Sequence, residues 1–217
     1  MTELFDCSDA EQRMTGIASA ISALKGGSLV VMPTDTVYGI GADAFDNNAV
    51  AALLSAKGRG RDMPVPVLVG SWHTIDGLVY TVPNSARELI RAFWPGALSL
   101  VVRQAPSLQW DLGDAHGTVM LRMPNHPIAI ELLRDLGPMA VSSANISGRP
   151  AAVTAQEAHD QLGDLVEVYL DAGPSEQQAA STIVDLTGAH PRVLRQGPIT
   201  AESIAEVLSV EPETLVG

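Results

Sequence analysis

Cysteine is almost missing from this chain. Cys7 is the one cysteine in 217 residues. That excludes an intramolecular disulfide and a multi-cysteine zinc site, and it fits a reduced cytosolic protein. Aromatic residues make up only 4% of the chain, against 46% hydrophobic in all. The core must therefore be aliphatic, which suits a sheet buried by helices on both faces. Basic residues are also scarce. Thirteen Lys and Arg stand against 25 Asp and Glu, a formal net charge of −12. A surface this acidic repels phosphate backbones, so no stable nucleic-acid complex is expected. No apolar run reaches the length of a membrane span, and the acidic first residues lack the charged-then-apolar pattern of a secretion signal. The expected setting is the cytoplasm, away from membranes.

Two catalytic patterns are missing as well. No Gly-x-x-x-x-Gly-Lys-Ser/Thr occurs, which argues against a P-loop fold. No Gly-x-Ser-x-Gly elbow occurs, and no spacing pairs His73, His116, His126, His159 or His190 with a serine. No His, Asp and Glu cluster has the spacing of a structural metal site.

What is present is an alternation of helical and strand patterns. Met14, Ile17, Ala18, Ile21 and Leu24 recur at helical spacing, so residues 9–24 read as a helix ended by Gly26-Gly27. Residues 46–57 read as a second helix with Asp46 as its cap. Residues 83–94, 127–136, 154–162 and 200–208 follow as helices, with Thr154 and Glu157 in a capping-box pattern. Strands are expected over 28–32, 65–69, 98–102, 118–123, 139–142, 166–171, 182–186 and 192–195. Residues 172–181 are the most loop-like stretch. The fold class is α/β, a twisted mixed sheet flanked by helices. A single domain over 1–217 is expected, its core about 10–200, with a short C-terminal helix after it.

Polar clusters fall at strand ends, where open α/β sheets put their ligands. Pro33-Thr34-Asp35-Thr36-Val37-Tyr38-Gly39 follows a buried strand and is either an ordinary turn or a binding loop. Lys57-Gly58-Arg59-Gly60-Arg61 gathers three cations in an acidic chain. It is either a solvated helix end or a phosphate loop. Ser143-Ala144-Asn145-Ile146-Ser147-Gly148 is either a polar loop or a set of donors for a phosphate or an amino acid. Arg122 and Arg195, at strand ends, are candidate anion ligands.

These segments, in order with Phe93-Trp94-Pro95-Gly96, Arg122-Met123-Pro124-Asn125-His126-Pro127 and Ser181-Thr182-Ile183-Val184-Asp185, resemble the YrdC-like family over about residues 27–197. The Lys-x-Arg and Ser-x-Asn pairs are its signature. The resemblance implies a YrdC-like fold with a central cavity, of the short single-domain type. It also implies a reaction. L-threonine, bicarbonate and ATP, with Mg²⁺ on the ATP, would give threonylcarbamoyl-AMP and pyrophosphate. A downstream tRNA threonylcarbamoyl transferase complex would use the product. By the same resemblance, Lys57, Arg59, Ser143 and Asn145 would be catalytic. Lys57, Arg61, Thr118, Ser143, Asn145 and Arg195 would bind ATP. Thr34, Arg122 and Ser181 would bind threonine, with no metal held by protein side chains.

Three positions depart from the family pattern. Leu68 stands where many relatives carry a His, Ala97-Leu98-Ser99 replaces Pro-Leu-Thr, and Gln177-Gln178-Ala179-Ala180 replaces a Gly-rich run. Residues 172–181 are the expected lid over a water-labile carbamate and mixed anhydride. Two other readings compete. One is a double-stranded RNA or tRNA binding protein without catalysis, which needs a basic face. The other is a carbamoyl-adenylate enzyme like the domain found in longer hydrogenase-maturation proteins.

Overall fold

Among residues 2–215, which the computed structural model describes, ten strands and seven α-helices form. The strands are β1 Glu3–Asp6, β2 Val30–Met32, β3 Gly39–Asp43, β4 Val67–Leu68, β5 Leu98–Arg103, β6 Thr118–Arg122, β7 Met139–Ser143, β8 Val168–Asp171, β9 Thr182–Asp185 and β10 Arg192–Arg195. The helices are α1 Ala10–Lys25, α2 Asn47–Ala56, α3 Ile75–Leu78, α4 Asn84–Phe93, α5 Pro127–Leu136, α6 Ala155–Leu162 and α7 Ala201–Leu208.

The helices start where the sequence supplies caps. Asp9, Asp46, Thr154 and Thr200 each accept a hydrogen bond from a backbone N–H of the first turn, satisfying donors that the helix cannot. The capping box at Thr154 is only half as expected. The Glu157 carboxylate reaches back to the amide of Val153, one residue before the cap.

All ten strands join one sheet in the order β1-β8-β2-β3-β7-β4-β6-β5-β9-β10. It is mixed: β1 with β8, β2 with β8, β4 with β6 and β5 with β9 pair in parallel, and the other neighbours are antiparallel. The expected strand over 65–69 shrinks to two residues, because Pro64 and Pro66 bring no amide donor to a ladder. Two strands were not expected. β1 is a mostly exposed edge strand, and β3 reads Gly-Ile-Gly-Ala-Asp, too glycine-rich to carry a strand signature. Gly39 is needed there, since a Cβ would lie 2.7 Å from a methyl of Val141 on the neighbouring strand.

The two faces of the sheet bury different helices. One packs Val31, Ile40, Leu98, Leu100, Leu121 and Val184 against α2, α4, α6 and α7. The other packs Val30, Met32, Leu68, Met139 and Val141 against α1 and α5. Each fully buried aliphatic side chain contributes roughly 1.5–3 kcal/mol. The register sets Leu68 opposite Arg122, Val101 opposite Met120 and Ser99 opposite Ile183. By strand alternation these lie on the α1/α5 face. Of these, Ser99, Met120, Arg122 and Ile183 line a cavity, and Leu68 borders both that cavity and the α1/α5 contact. The expected central cavity thus sits on the part of this face that α1 and α5 leave free. No helix among the described residues is long and apolar enough to cross a membrane.

Candidate active site

Arg122, at the end of β6 and only 6% exposed, lines the cavity. Its Nε donates to the Gly96 carbonyl at 2.9 Å, Nη1 to Thr36 Oγ1 at 2.9 Å and Nη2 to Asp35 Oδ1. A guanidinium has five N–H groups, so two stay free for a ligand. Asp35 is itself buried, and Oδ1 also accepts the Asn125 amide at 3.0 Å. Its Oδ2 is buried with no hydrogen-bond partner. This ion pair fixes the guanidinium plane before any ligand arrives, as removing either partner would strand a buried charge. Thr34, in the same turn, accepts the Thr36 amide and donates to the Val37 carbonyl at 2.6 Å.

Two more cations line the cavity. Arg59 donates to Ser142 Oγ at 3.2 Å and to the Pro64 carbonyl at 3.3 Å, and its Nε is buried without a partner. Arg195 donates through Nε to the Ser181 carbonyl at 2.9 Å and through Nη2 to Ser181 Oγ at 3.2 Å. Burial pushes all three guanidinium pKa values below the usual range. The positive charge of Arg195 adds to this at both Arg59 and Arg122. Asp62 opposes the shift at Arg59 and Asp35 opposes it at Arg122. Arginine stays charged regardless, so the cavity holds repelling cations that an anion would relieve.

The cavity encloses about 220 Å³. Thr34, Arg59, Arg122, Ser143, Ser181 and Arg195 all line it, so the structure brings these six sequence-derived candidates together. Met120 also borders a second hollow of about 140 Å³, lined by Pro64, Leu112 and Thr118. Thr118 therefore lies in the adjoining hollow, where its hydroxyl donates to the Ala115 carbonyl at 2.7 Å.

Three candidates are placed elsewhere. Lys57 is 2% exposed, and its Nζ donates to the Ser143 carbonyl at 2.5 Å, the Asn145 carbonyl at 2.7 Å and Asn145 Oδ1 at 3.4 Å. It lies behind the cavity wall, holding the turn after β7. Burial first, and then the charge of Arg59, lower its pKa to about 8. Asn145 spends its amide nitrogen on the carbonyls of Ile146 and Arg149, both at 2.9 Å, so it shapes the same turn. Arg61 points outward, forked onto Asp111 at 2.8 and 2.9 Å and reaching Asp114 at 3.2 Å. Those carboxylates lie fifty positions downstream, where sequence spacing gives no sign of the pairing.

Sequence reasoning named no role for Asp35, Thr36, Ser99 or Met120. Asp35 and Thr36 were inside a recognised motif, but their partner Arg122 is far along the chain. Leu68 stands on the cavity wall opposite Arg122, so an apolar side chain takes the place of the His that many relatives carry. The loop over 172–181 is bound at its base. The Ser175 amide donates to the Val153 carbonyl at 2.8 Å and the Gln177 amide to the Asp35 carbonyl at 3.3 Å. Residues 176–180 are exposed, yet Ala180 lines the cavity.

Comparison with known proteins decides the family. A profile named for Sua5, YciO and YrdC, described as "Telomere recombination", matches residues 22–197. The chain belongs to the Sua5/YciO/YrdC family. A Mycobacterium tuberculosis protein of this family, named "Putative threonylcarbamoyl-AMP synthase", is 78% identical over 217 residues, covering all of both chains. The threonylcarbamoyl-AMP synthase of Pyrococcus abyssi is 36% identical over 88% of this chain and 57% of its own length. The crystal structure of P. abyssi Sua5 complexed with L-threonine superposes with a TM-score of 0.89 at 33% identity, over 98% of this chain and 63% of that one. Escherichia coli YciO superposes at 0.81 with 25% identity, over 91% and 97%. The mixed sheet with flanking helices is thus the Sua5/YciO/YrdC fold.

Proposed function

We propose that this chain is a threonylcarbamoyl-AMP synthase, converting L-threonine, bicarbonate and ATP to threonylcarbamoyl-AMP and pyrophosphate. The observation that carries this reading is a single cavity with two unspent N–H groups on Arg122 and two further cations, Arg59 and Arg195. Such a site suits two anionic groups held side by side, an amino-acid carboxylate and a phosphate. The relatives named for this activity, and the Sua5 structure with L-threonine, support the same reading.

The threonine carboxylate sits on the Arg122 fork, flanked by Thr34 and Ser181. The threonine amine, freed of a proton, adds to carbon dioxide derived from bicarbonate and yields a carbamate. A carbamate oxygen then bonds to the α-phosphorus of ATP as the bond to the bridging oxygen breaks, and pyrophosphate leaves. Charge grows on the phosphoryl oxygens and the leaving group, so the chain contributes placement and electrostatics. Arg59 and Arg195 neutralise the phosphates and Ser143 donates a neutral hydrogen bond. Lys57 and Asn145 act one layer back, by fixing the turn that presents Ser143. No protein nucleophile is needed, because the substrate supplies it.

No carboxylate lines the cavity, and no cluster of three metal-binding side chains occurs among the described residues. Mg²⁺ therefore fits as part of the ATP substrate, held by phosphates and water. The product passes to a downstream tRNA transferase, and the enzyme works in the cytoplasm. The RNA-binding reading gains nothing from the fold. Of its basic loop, Lys57 is buried and Arg61 is neutralised by Asp111 and Asp114.

The test is product chemistry. The protein is incubated with L-threonine, ATP, Mg²⁺ and carbon-labelled bicarbonate, and mass spectrometry follows. Labelled threonylcarbamoyl-AMP is the expected product, and AMP appearing without it would refute the assignment.

A further inference from the structure

Ser99 and Ser181 stand 82 positions apart in sequence, yet their hydroxyl oxygens are 2.9 Å apart on the cavity wall. They are 3% and 6% exposed. Adjacent parallel strands bring them together, since β5 pairs with β9 and the Thr182 amide donates to the Ala97 carbonyl at 2.9 Å. On the other side of Ser181, Arg195 donates through both Nε and Nη2. Gly197 lets that strand end close in, since a Cβ there would strike the Ala180 carbonyl and the Thr182 amide.

We propose that Ser99 is a positioning residue, which donates its hydroxyl proton to Ser181 and thereby turns the Ser181 O–H toward the ligand. The proton count leads there. An arginine N–H only donates, so Ser181 Oγ must accept from Arg195. One proton then lies between the two serines. If Ser181 gave its proton to Ser99, it would face the cavity with lone pairs alone and repel an anionic oxygen. In the opposite sense Ser181 accepts from Ser99 and Arg195 together and keeps its own proton for the ligand. A cavity lined by Arg59, Arg122 and Arg195 selects an anionic ligand, so the second sense is the working one. The ligand atom at Ser181 is then an acceptor oxygen, and two donors behind the hydroxyl strengthen it as a donor.

This inference rests on the threonine reading of the site, and its test keeps the two apart. Threonine is titrated against pyrophosphate release for wild type, Ser99→Ala, Ser99→Thr, Ser181→Ala and the Ser99→Ala/Ser181→Ala double variant, each checked for an unchanged melting temperature. The expected result for Ser99→Ala is a threonine KM raised about tenfold, the scale of one misaligned hydrogen bond to a charged group, with the ATP KM within about twofold. Ser99→Thr keeps the donor and stays near wild type, and the double variant is no worse than Ser181→Ala. A threonine KM untouched by Ser99→Ala, additive losses in the double variant, or a Ser99→Thr variant as poor as Ser99→Ala each overturn the inference alone. Wild-type release that ignores threonine overturns the assignment of the site itself.

Discussion

The Lys57 ammonium donates to the backbone carbonyl of Asn145 at 2.7 Å, although 88 positions separate the two residues. All three ammonium protons have oxygen acceptors, on Ser143 and Asn145. Lysine in this family's signature is thus, in the ligand-free protein, a strut that joins the end of α2 to the turn after β7. Removing it leaves buried acceptors unsatisfied. Lys57→Ala should therefore lower unfolding stability by about 2–4 kcal/mol, read from urea denaturation. A cost below about 0.5 kcal/mol would show that the strut bears nothing.

The same buried ammonium predicts opposite pH trends for stability and activity. Its pKa falls from the ordinary 10.5 to about 8 on folding. Between those values the unfolded chain binds more protons than the folded one, so stability contributed by this group rises with pH across that window. Below about 8 both states carry the proton and its contribution is flat. The ammonium that braces the turn presenting Ser143 loses its proton over the same window, so kcat/KM for ATP should fall above about pH 8. Lys57→Met should remove both trends. If the fall above pH 8 persists in Lys57→Met, another group causes it.

Arg59 and Arg61 differ by two positions and should differ greatly in effect. Arg59 lines the cavity, whereas Arg61 is tied to Asp111 and Asp114 at the surface. Arg59→Ala should raise the KM for ATP by about 30-fold or more, the scale of a lost charge-assisted contact. Arg61→Ala should change it less than about threefold, since an exposed ion pair contributes little. Equal losses would mean that Arg61 swings inward when ATP binds.

Much of this is legible in the sequence, and what is not shares one cause. Helix starts were readable because Asp9, Asp46, Thr154 and Thr200 act on amides a few residues away. The six cavity residues followed from ordered motifs at strand ends. Less legible is the direction in which a motif residue points in the ligand-free protein. Lys57 and Asn145 there bond each other, brought together where the end of α2 meets the β7 turn. Arg61 there is paired with two distant carboxylates. Ser99 shows in the sequence only as a hydroxyl in place of the family's Thr, since its partner Ser181 lies across a parallel strand pair.

The loop over 172–181 is anchored at Ser175 and Gln177 and exposed between them and Ser181. Threonine and ATP together should slow hydrogen exchange of the amides of residues 176–180 by about tenfold or more, as a closing segment would require. The Val168–Asp171 strand serves as an internal control. Unchanged exchange in 176–180 would remove the loop from the mechanism.

The most direct measurement is pyrophosphate release from Mg-ATP and bicarbonate, with and without L-threonine, in wild type and Arg122→Gln. If the two free N–H groups of Arg122 hold the threonine carboxylate, release needs threonine in wild type and is lost in Arg122→Gln. Threonine-independent release by folded wild type would overturn the synthase reading, and full threonine-dependent release by Arg122→Gln would overturn the role of Arg122.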